Sequence, residues 1–243
     1  MANVKDLDQR SAVARVNSVI DSVFAGVDVL CELAATVYER AAAEGELPSA
    51  ADLASIRPAV FDHLTRGGPV VAGTGVIAAP GSLADQPRWL EWWRIPRGST
   101  EPRPLSVDLD PQHIGGYEYT STPWFDTPRR TGHRIVLGPY VDYAGTDEYI
   151  LTLSCPIRRN EQFLGVAAAD VRASDLEQVM LGVLDAVGPE SLLVNATGRV
   201  IASNTPQLIV GSLLPAAHRT GDEVPVGLGW VPCEGLPWHL VTG

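Results

Sequence analysis

Cysteine is scarce in this chain. Cys31, Cys155 and Cys233 are far apart and odd in number, so neither a disulfide framework nor a zinc-ligand spacing follows. Cys31 and Cys155 lie in apolar runs and read as small buried hydrophobes. Basic runs are missing, and 18 Lys and Arg against 29 Asp and Glu leave a formal charge of −11. Nucleic acid is excluded as a partner on that ground, because neutralising phosphates needs a basic face. An acidic surface mildly favours cationic ligands. No stretch of 18 apolar residues occurs, and the polar opening Met1–Arg10 lacks the apolar core of a signal peptide. Together these two absences predict a cytoplasmic protein with no membrane insertion.

Catalytic signatures are missing as well. There is no Gly-x-Ser-x-Gly elbow, no phosphate-binding P-loop and no His-Glu-x-x-His. Gly73-Thr74-Gly75 is too short for a dinucleotide fingerprint. His63, His113, His133, His218 and His239 stand at no metal-ligand spacing. Asp108 and Asp110 share a face if their segment is a strand, and could work as acid and base; a solvated strand edge explains them equally well. Asn195-Ala196-Thr197 has the form of a glycosylation sequon but falls in an expected tight turn. The reading is a non-enzyme without cofactor or metal, with an enzyme of unnamed reaction as an alternative.

What is present is a periodic helix and then a succession of short strands. Val13, Val16, Ile20, Val23, Val27, Leu30, Ala34 and Val37 follow three/four spacing, which predicts one amphipathic helix over 8–44. At 1.5 Å per residue it would be roughly 50 Å long. So long a stripe points to more than one packing unit beneath it, or to a homodimer through this helix. A second helix over 50–65 is interrupted or restarted at Pro58.

From Arg66-Gly67-Gly68-Pro69 onward the pattern becomes β-like, with Gly, Pro and Asp as punctuation. His133–Tyr143, Glu148–Ile157 and Gln162–Val171 suggest an antiparallel meander. Ser174 and Glu177 have capping-box spacing before a helix over 174–186. A hairpin turning near Asn195–Gly198 and strands over 223–231 and 237–242 complete the chain. The expected fold is α+β: a long N-terminal helix packed along two PAS-like antiparallel sheets, the second smaller. The boundaries are 1–65 for the helical region, 66–172 for the ligand-binding module, 173–189 for a connecting helix and 190–243 for the smaller β module.

Aromatic residues crowd the middle. Trp89, Trp92, Trp93, Tyr117, Tyr119, Trp124, Phe125, Tyr140, Tyr143 and Tyr149 all fall between 89 and 170. A packed aromatic core accounts for some of them. With Glu91, Asp142 and Asp170 they are also the ingredients of an aromatic cage with carboxylates, which holds an ammonium group by cation–π attraction and charged hydrogen bonds. Asp170 ends the apolar run Phe163–Ala169, where a carboxylate needs a reason to be buried. If Ser174 caps the next helix, Asp170 is left to face a cavity.

Three segments resemble the double-Cache family of ligand-binding sensor domains: Gly138-Pro139-Tyr140-Val141-Asp142, Tyr149–Ile157, and Phe163–Val171 with its Gly-Val-Ala-Ala-Ala-Asp-Val ending. Trp124-Phe125 sits upstream like the family's Trp-Tyr pair. The resemblance implies a small-molecule sensor that signals through a partner or output protein. By position it implies Tyr117, Trp124, Phe125, Tyr140, Asp142 and Asp170 as ligand-binding residues, to which the aromatic–acidic reading adds Glu91 and Trp93. Amino-acid-binding members clamp the ligand carboxylate with an Arg two residues before the Trp. Here that position is Thr122, unless Arg94, Arg129 or Arg130 substitutes. The amine half of such a site is kept and the carboxylate half is not. The expected ligand is therefore a small cationic amine; the alternative is an amino acid held by a relocated arginine.

Overall fold

The computed structural model describes residues 4–66, 70–143, 145–214 and 229–243. Helix α1 (Val4–Ala43) is followed by one-turn α2 (Ala50–Leu53), a short 3-10 turn and α3 (Arg57–Arg66). Pro58 occupies the first turn of α3, where its missing N–H costs no hydrogen bond, so it marks a restart. Strands β1 (Val71–Ala78), β2 (Leu90–Arg94) and β3 (Arg103–Pro104) lead to α4 (Pro123–Thr131). Then come β4 (Ile135–Val141), β5 (Tyr149–Arg159), β6 (Gln162–Arg172) and α5 (Ala173–Val187). The chain ends with β7 (Leu192–Asn195), β8 (Val200–Ser203), β9 (Gly229–Cys233) and β10 (Trp238–Thr242). The strand expected over 223–231 lies partly outside the described residues.

The strands make a six-stranded sheet in the order β3-β2-β1-β6-β5-β4 and a four-stranded sheet in the order β8-β7-β10-β9. This is the α+β architecture the residue pattern predicts, with a long first helix and a smaller second sheet. Two compact units emerge. One contains Ser22–Leu137 and Val141–Val171; the other contains Met1–Asp21, Gly138–Tyr140 and Arg172–Gly243.

In the larger unit, α1 and α3 supply the apolar cover of one sheet face. Val23, Val27, Leu30 and Ala34 are all fully buried on α1. A Cβ built on Gly26 would overlap the His63 ring of α3, so the glycine is what lets the two helices close together. His63 Nδ1 meets Thr74 Oγ1 of β1 at 3.1 Å, and Thr74 donates in turn to Ala168 O at 2.7 Å. Burial pushes the His63 imidazole down to about 4. Every residue of β1 is buried, as a strand covered on both faces requires. In the smaller unit, Val16 and Ile20 of α1 are likewise buried, and Leu192, Val194, Val200, Leu214 and Val241 form a core cluster.

Two expectations change. The apolar stripe of α1 is already buried within one chain, which removes the reason for inferring a homodimer from its length. The capping box of α5 does not form. The helix begins at Ala173 with Arg172 as its N-cap and no side-chain cap, while Ser174 Oγ donates to Asp175 Oδ1 at 3.0 Å. Sequence spacing matched the motif, but the helix starts too early for Ser174 to stand outside it.

Candidate ligand-binding site

Side chains directly opposite each other on adjacent strands share a face, and successive residues alternate. Gly73 of β1 pairs with Asp170 of β6 on one side and with Arg94 of β2 on the other. Gly75 pairs likewise with Ala168 and Trp92. One face of the sheet therefore carries Asp170, Arg94 and Trp92 around two glycines. The opposite face carries Thr74, Val76, Trp93 and Glu91, and is the face that α3 covers.

Asp170 is 8% exposed. Thr152 Oγ1 of β5 donates to its Oδ1 at 2.7 Å. Among the described residues no cation forms an ion pair with it. Burial, and then the charges of Asp142 and Glu148, push the Asp170 carboxyl up to about 8, against the opposing hydrogen bond from Thr152. Without a ligand, most of it holds its proton at neutral pH. The half-buried Tyr117 phenol is pushed up by desolvation and then by Asp142 and Asp170. Tyr117, Asp142, Glu148, Thr152 and Asp170 thus form one acidic cluster around a phenol.

Asp142 also builds the loop beside this cluster. Its Oδ2 accepts from Thr146 N at 2.9 Å and from Thr146 Oγ1 at 3.0 Å. Its carbonyl accepts from the N–H groups of Gly145, Thr146 and Asp147. A Cβ on Gly145 would collide with the Asp142 carboxylate. Glu148 closes the same loop by accepting from Asp142 N–H, and its carboxylate lies 3.9 Å from Arg94 Nη1.

Helix α4 packs against β5. Pro123 opens it and Gly132, at φ 73°, closes it. Trp124 and Phe125 are buried, and Ser154 Oγ donates to Trp124 O at 2.5 Å. Ser154 shares its strand face with Thr152, two residues earlier. Phe125 contacts Tyr119 edge-on at 5.1 Å and Phe163 at 5.3 Å, so its ring is part of an aromatic core. Thr122, where a clamp arginine was sought, instead donates to Tyr119 O at 2.6 Å.

The expected site residues therefore separate. Tyr117, Asp142 and Asp170 are brought together. Trp124 lies on α4 against the same strand, and Phe125 packs into the core behind it. Tyr140 is half-buried on β4 and groups with the smaller unit. Glu91 and Trp93 stand on the opposite sheet face from Asp170. There Glu91 takes both an Nε–H (2.8 Å) and an Nη2–H (3.1 Å) from Arg57 and the Trp93 indole N–H at 2.6 Å. Trp93 meets Phe61 edge-on at 4.8 Å and the Arg57 guanidinium at 5.0 Å. Of the three candidate arginines, Arg129 and Arg130 are bound to Asp126 on an exposed helix surface, and only Arg94 shares the Asp170 face. Glu148 and Thr152 are not singled out by the sequence, and Trp92 stands there only as one of the crowded aromatics. Period-two alternation within β5 would have flagged Thr152; the other two depend on long-range pairing.

Residues 105–178 match the family described as methyl-accepting chemotaxis protein-like, first PDC sensor domain. The chain is 26% identical over 149 residues to methyl-accepting chemotaxis protein McpA of Pseudomonas putida, a match covering 54% of this chain and 23% of that protein. The matched segment thus spans less than a quarter of that relative's length. Among solved structures, it resembles the ligand-binding domain of the Pseudomonas aeruginosa amino-acid chemoreceptor PctC in complex with GABA. That similarity has a TM-score of 0.60 and 22% identity over 96% of both chains. It also resembles the extracellular domain of a protein described as a histidine kinase, with a TM-score of 0.65 and 15% identity over 96% of this chain and 94% of that one. Among the described residues no helix is long and apolar enough to cross a membrane. Residues 105–178 thus match the PDC sensor-domain family model, and the chain as a whole has the double-Cache fold seen in chemoreceptor ligand-binding domains.

Proposed function

We propose that the larger unit binds a small molecule bearing an ammonium group and serves as the input domain of a signalling protein. The observation that carries this reading is Asp170. A buried carboxyl with one hydrogen-bond donor, no paired cation among the described residues and two further carboxylates beside it is costly to ionise. A ligand ammonium would supply the missing charge and displace the proton. Tyr117 and Trp124 offer aromatic surface for the rest of such a ligand.

Arg94 supports a second reading, in which the ligand is an amino acid. Its Cα should lie roughly 10 Å from that of Asp170, two strand spacings across the sheet, with the bare Gly73 between them. A zwitterion fits such an arrangement, with its ammonium at Asp170 and its carboxylate at the guanidinium. The PctC domain, solved with GABA, makes this ligand chemistry a natural one to test.

The signal would pass to a partner or output protein. The absence of a membrane-spanning helix among the described residues accords with cytoplasmic residence. The extracellular neighbour favours a different placement, as the outward-facing domain of a larger receptor.

Calorimetric titration of the protein and of Asp170→Asn with amines, amino acids and dicarboxylates tests the function. Binding of amines or amino acids that weakens in the variant is the expected outcome. Tight binding of a dicarboxylate with amines silent would overturn the cationic-ligand reading.

A further inference from the structure

Away from the ligand face, two of the three cysteines meet. Cys31 projects from α1 and is half-buried; Cys155 is buried on β5, on the side that α1 covers. The Cys31 Sγ lies 3.8 Å from the Cys155 carbonyl oxygen, across 124 residues of sequence. Cys155 Sγ lies 3.4 Å from Asp28 Oδ1. Asp28 and Cys31 are three residues apart on one helix face, so a single turn of α1 presents a thiol and a carboxylate to the same strand residue. The third cysteine, Cys233, is buried on β9 in the smaller unit.

We propose that Cys31 and Cys155 are a disulfide-forming pair that fastens α1 to β5 of the larger unit under a two-electron oxidant such as hydrogen peroxide. Cys31 is the sulfur such an oxidant reaches, because it is the more exposed of the two. Its thiolate attacks a peroxide oxygen, the O–O bond breaks, and Cys31 becomes a sulfenic acid with loss of one water. The Cys155 sulfur then attacks Cys31 sulfur and displaces the hydroxyl, which leaves as a second water. The Cys155 proton passes to Asp28 on the way to that leaving group. In sum, two thiols and one peroxide give one disulfide and two waters.

In the reduced protein the Cys155 thiol is pushed up by its hydrogen bond with the Cys31 thiol, by burial and by the Asp28 charge. Cys155 is therefore held as a thiol until Cys31 is oxidised, after which its attack is intramolecular. Closing so long a loop restricts the unfolded chain strongly and should raise the unfolding midpoint by roughly 10 °C.

The test uses the full chain, reduced with a phosphine or treated with equimolar hydrogen peroxide, then denatured, alkylated and digested with trypsin without reduction. The expected product is a cross-link between the Arg-bounded peptides 16–40 and 135–158, with only Cys233 alkylated and the midpoint raised. Cys31→Ser should lose the cross-link and the added stability, and Cys233→Ser should keep both. Asp28→Asn should form the same cross-link several-fold more slowly. Three alkylated thiols after oxidation, a sulfinic acid at Cys31 without a cross-link, or a disulfide joining two copies through Cys31 would each overturn the proposal. The wild-type peptide map decides even if a variant fails to fold.

Discussion

Asp170 and Arg94 stand on either side of Gly73, on one face of the six-stranded sheet. A whole strand separates the two side chains, and the Arg94 guanidinium lies 3.9 Å from the Glu148 carboxylate. A Cβ on Gly73 would come within 3.0 Å of the Trp92 indole nitrogen, so the floor of this face is already tight. The bare Gly73 is what lets the Trp92 indole lie this close over the strand between Arg94 and Asp170.

Asp170→Asn should cost tenfold or more in affinity for the preferred amine, since one charged hydrogen bond contributes about 1.5–3 kcal/mol. Wild-type affinity should rise as pH increases from 6 and level off above about 8, where no proton competes for the carboxylate. Calorimetry near pH 7 in buffers of different ionisation enthalpy should show proton release on binding. A pH-independent affinity with no proton release would remove Asp170 from the site.

The same carboxyl governs stability without ligand. Its folded value is raised above the ordinary carboxylate value of 3.8, so its favourable contribution is complete below that pH and is lost as pH rises toward about 8. Asp170→Asn should therefore unfold several degrees higher than wild type at pH 8, with the difference shrinking toward pH 4. Thermal scans across that range check the sign.

Arg94→Ala separates the two ligand readings. If the ligand is zwitterionic, amino-acid affinity should fall about tenfold while simple amines are unaffected. Equal loss for both would mean that Arg94 acts by positioning Glu148, 3.9 Å away, and not by holding a carboxylate.

Glu91→Gln should destabilise the larger unit by about 1–2 kcal/mol, because it removes the charge and one of the two acceptor oxygens that hold Arg57 and Trp93, while solvent screens the 40% exposed Arg57. Ligand affinity should stay within twofold, since Glu91 lies on the other sheet face. A large affinity loss in a fully folded variant would bring Glu91 back into the site.

Gly26→Ala should cost about 1–3 kcal/mol by forcing a methyl into the His63 ring. His63→Ala in the same chain should recover part of the loss, which denaturant titrations can read as a coupling. His63 is depressed to about 4, so its contribution is present above pH 6.5 and is lost as pH falls through 4. The acid limb of the stability profile should flatten in His63→Ala.

Local order in this protein was written into residue spacing. The stripe Val16–Ile20–Val23–Val27–Leu30–Ala34 determined α1, because a helix must bury one face whatever it meets. Alternating apolar runs and short polar turns determined the β4–β5–β6 meander, because neighbours in sequence pair without a long crossover. Asp170 could be singled out because a carboxylate ending an apolar strand is expensive without a purpose. The placement of β1 between β2 and β6 was decided only in three dimensions, and with it the position of Gly73 between Arg94 and Asp170. The same pairing turned Glu91 and Trp93 toward α3 and Trp92 and Arg94 toward the Asp170 face. A strand offers its side chains to two faces with a period of two, and composition cannot say which parity meets which face. That choice belongs to the register of strands far apart in sequence, set by the packing of helices on one side and the acidic cluster on the other.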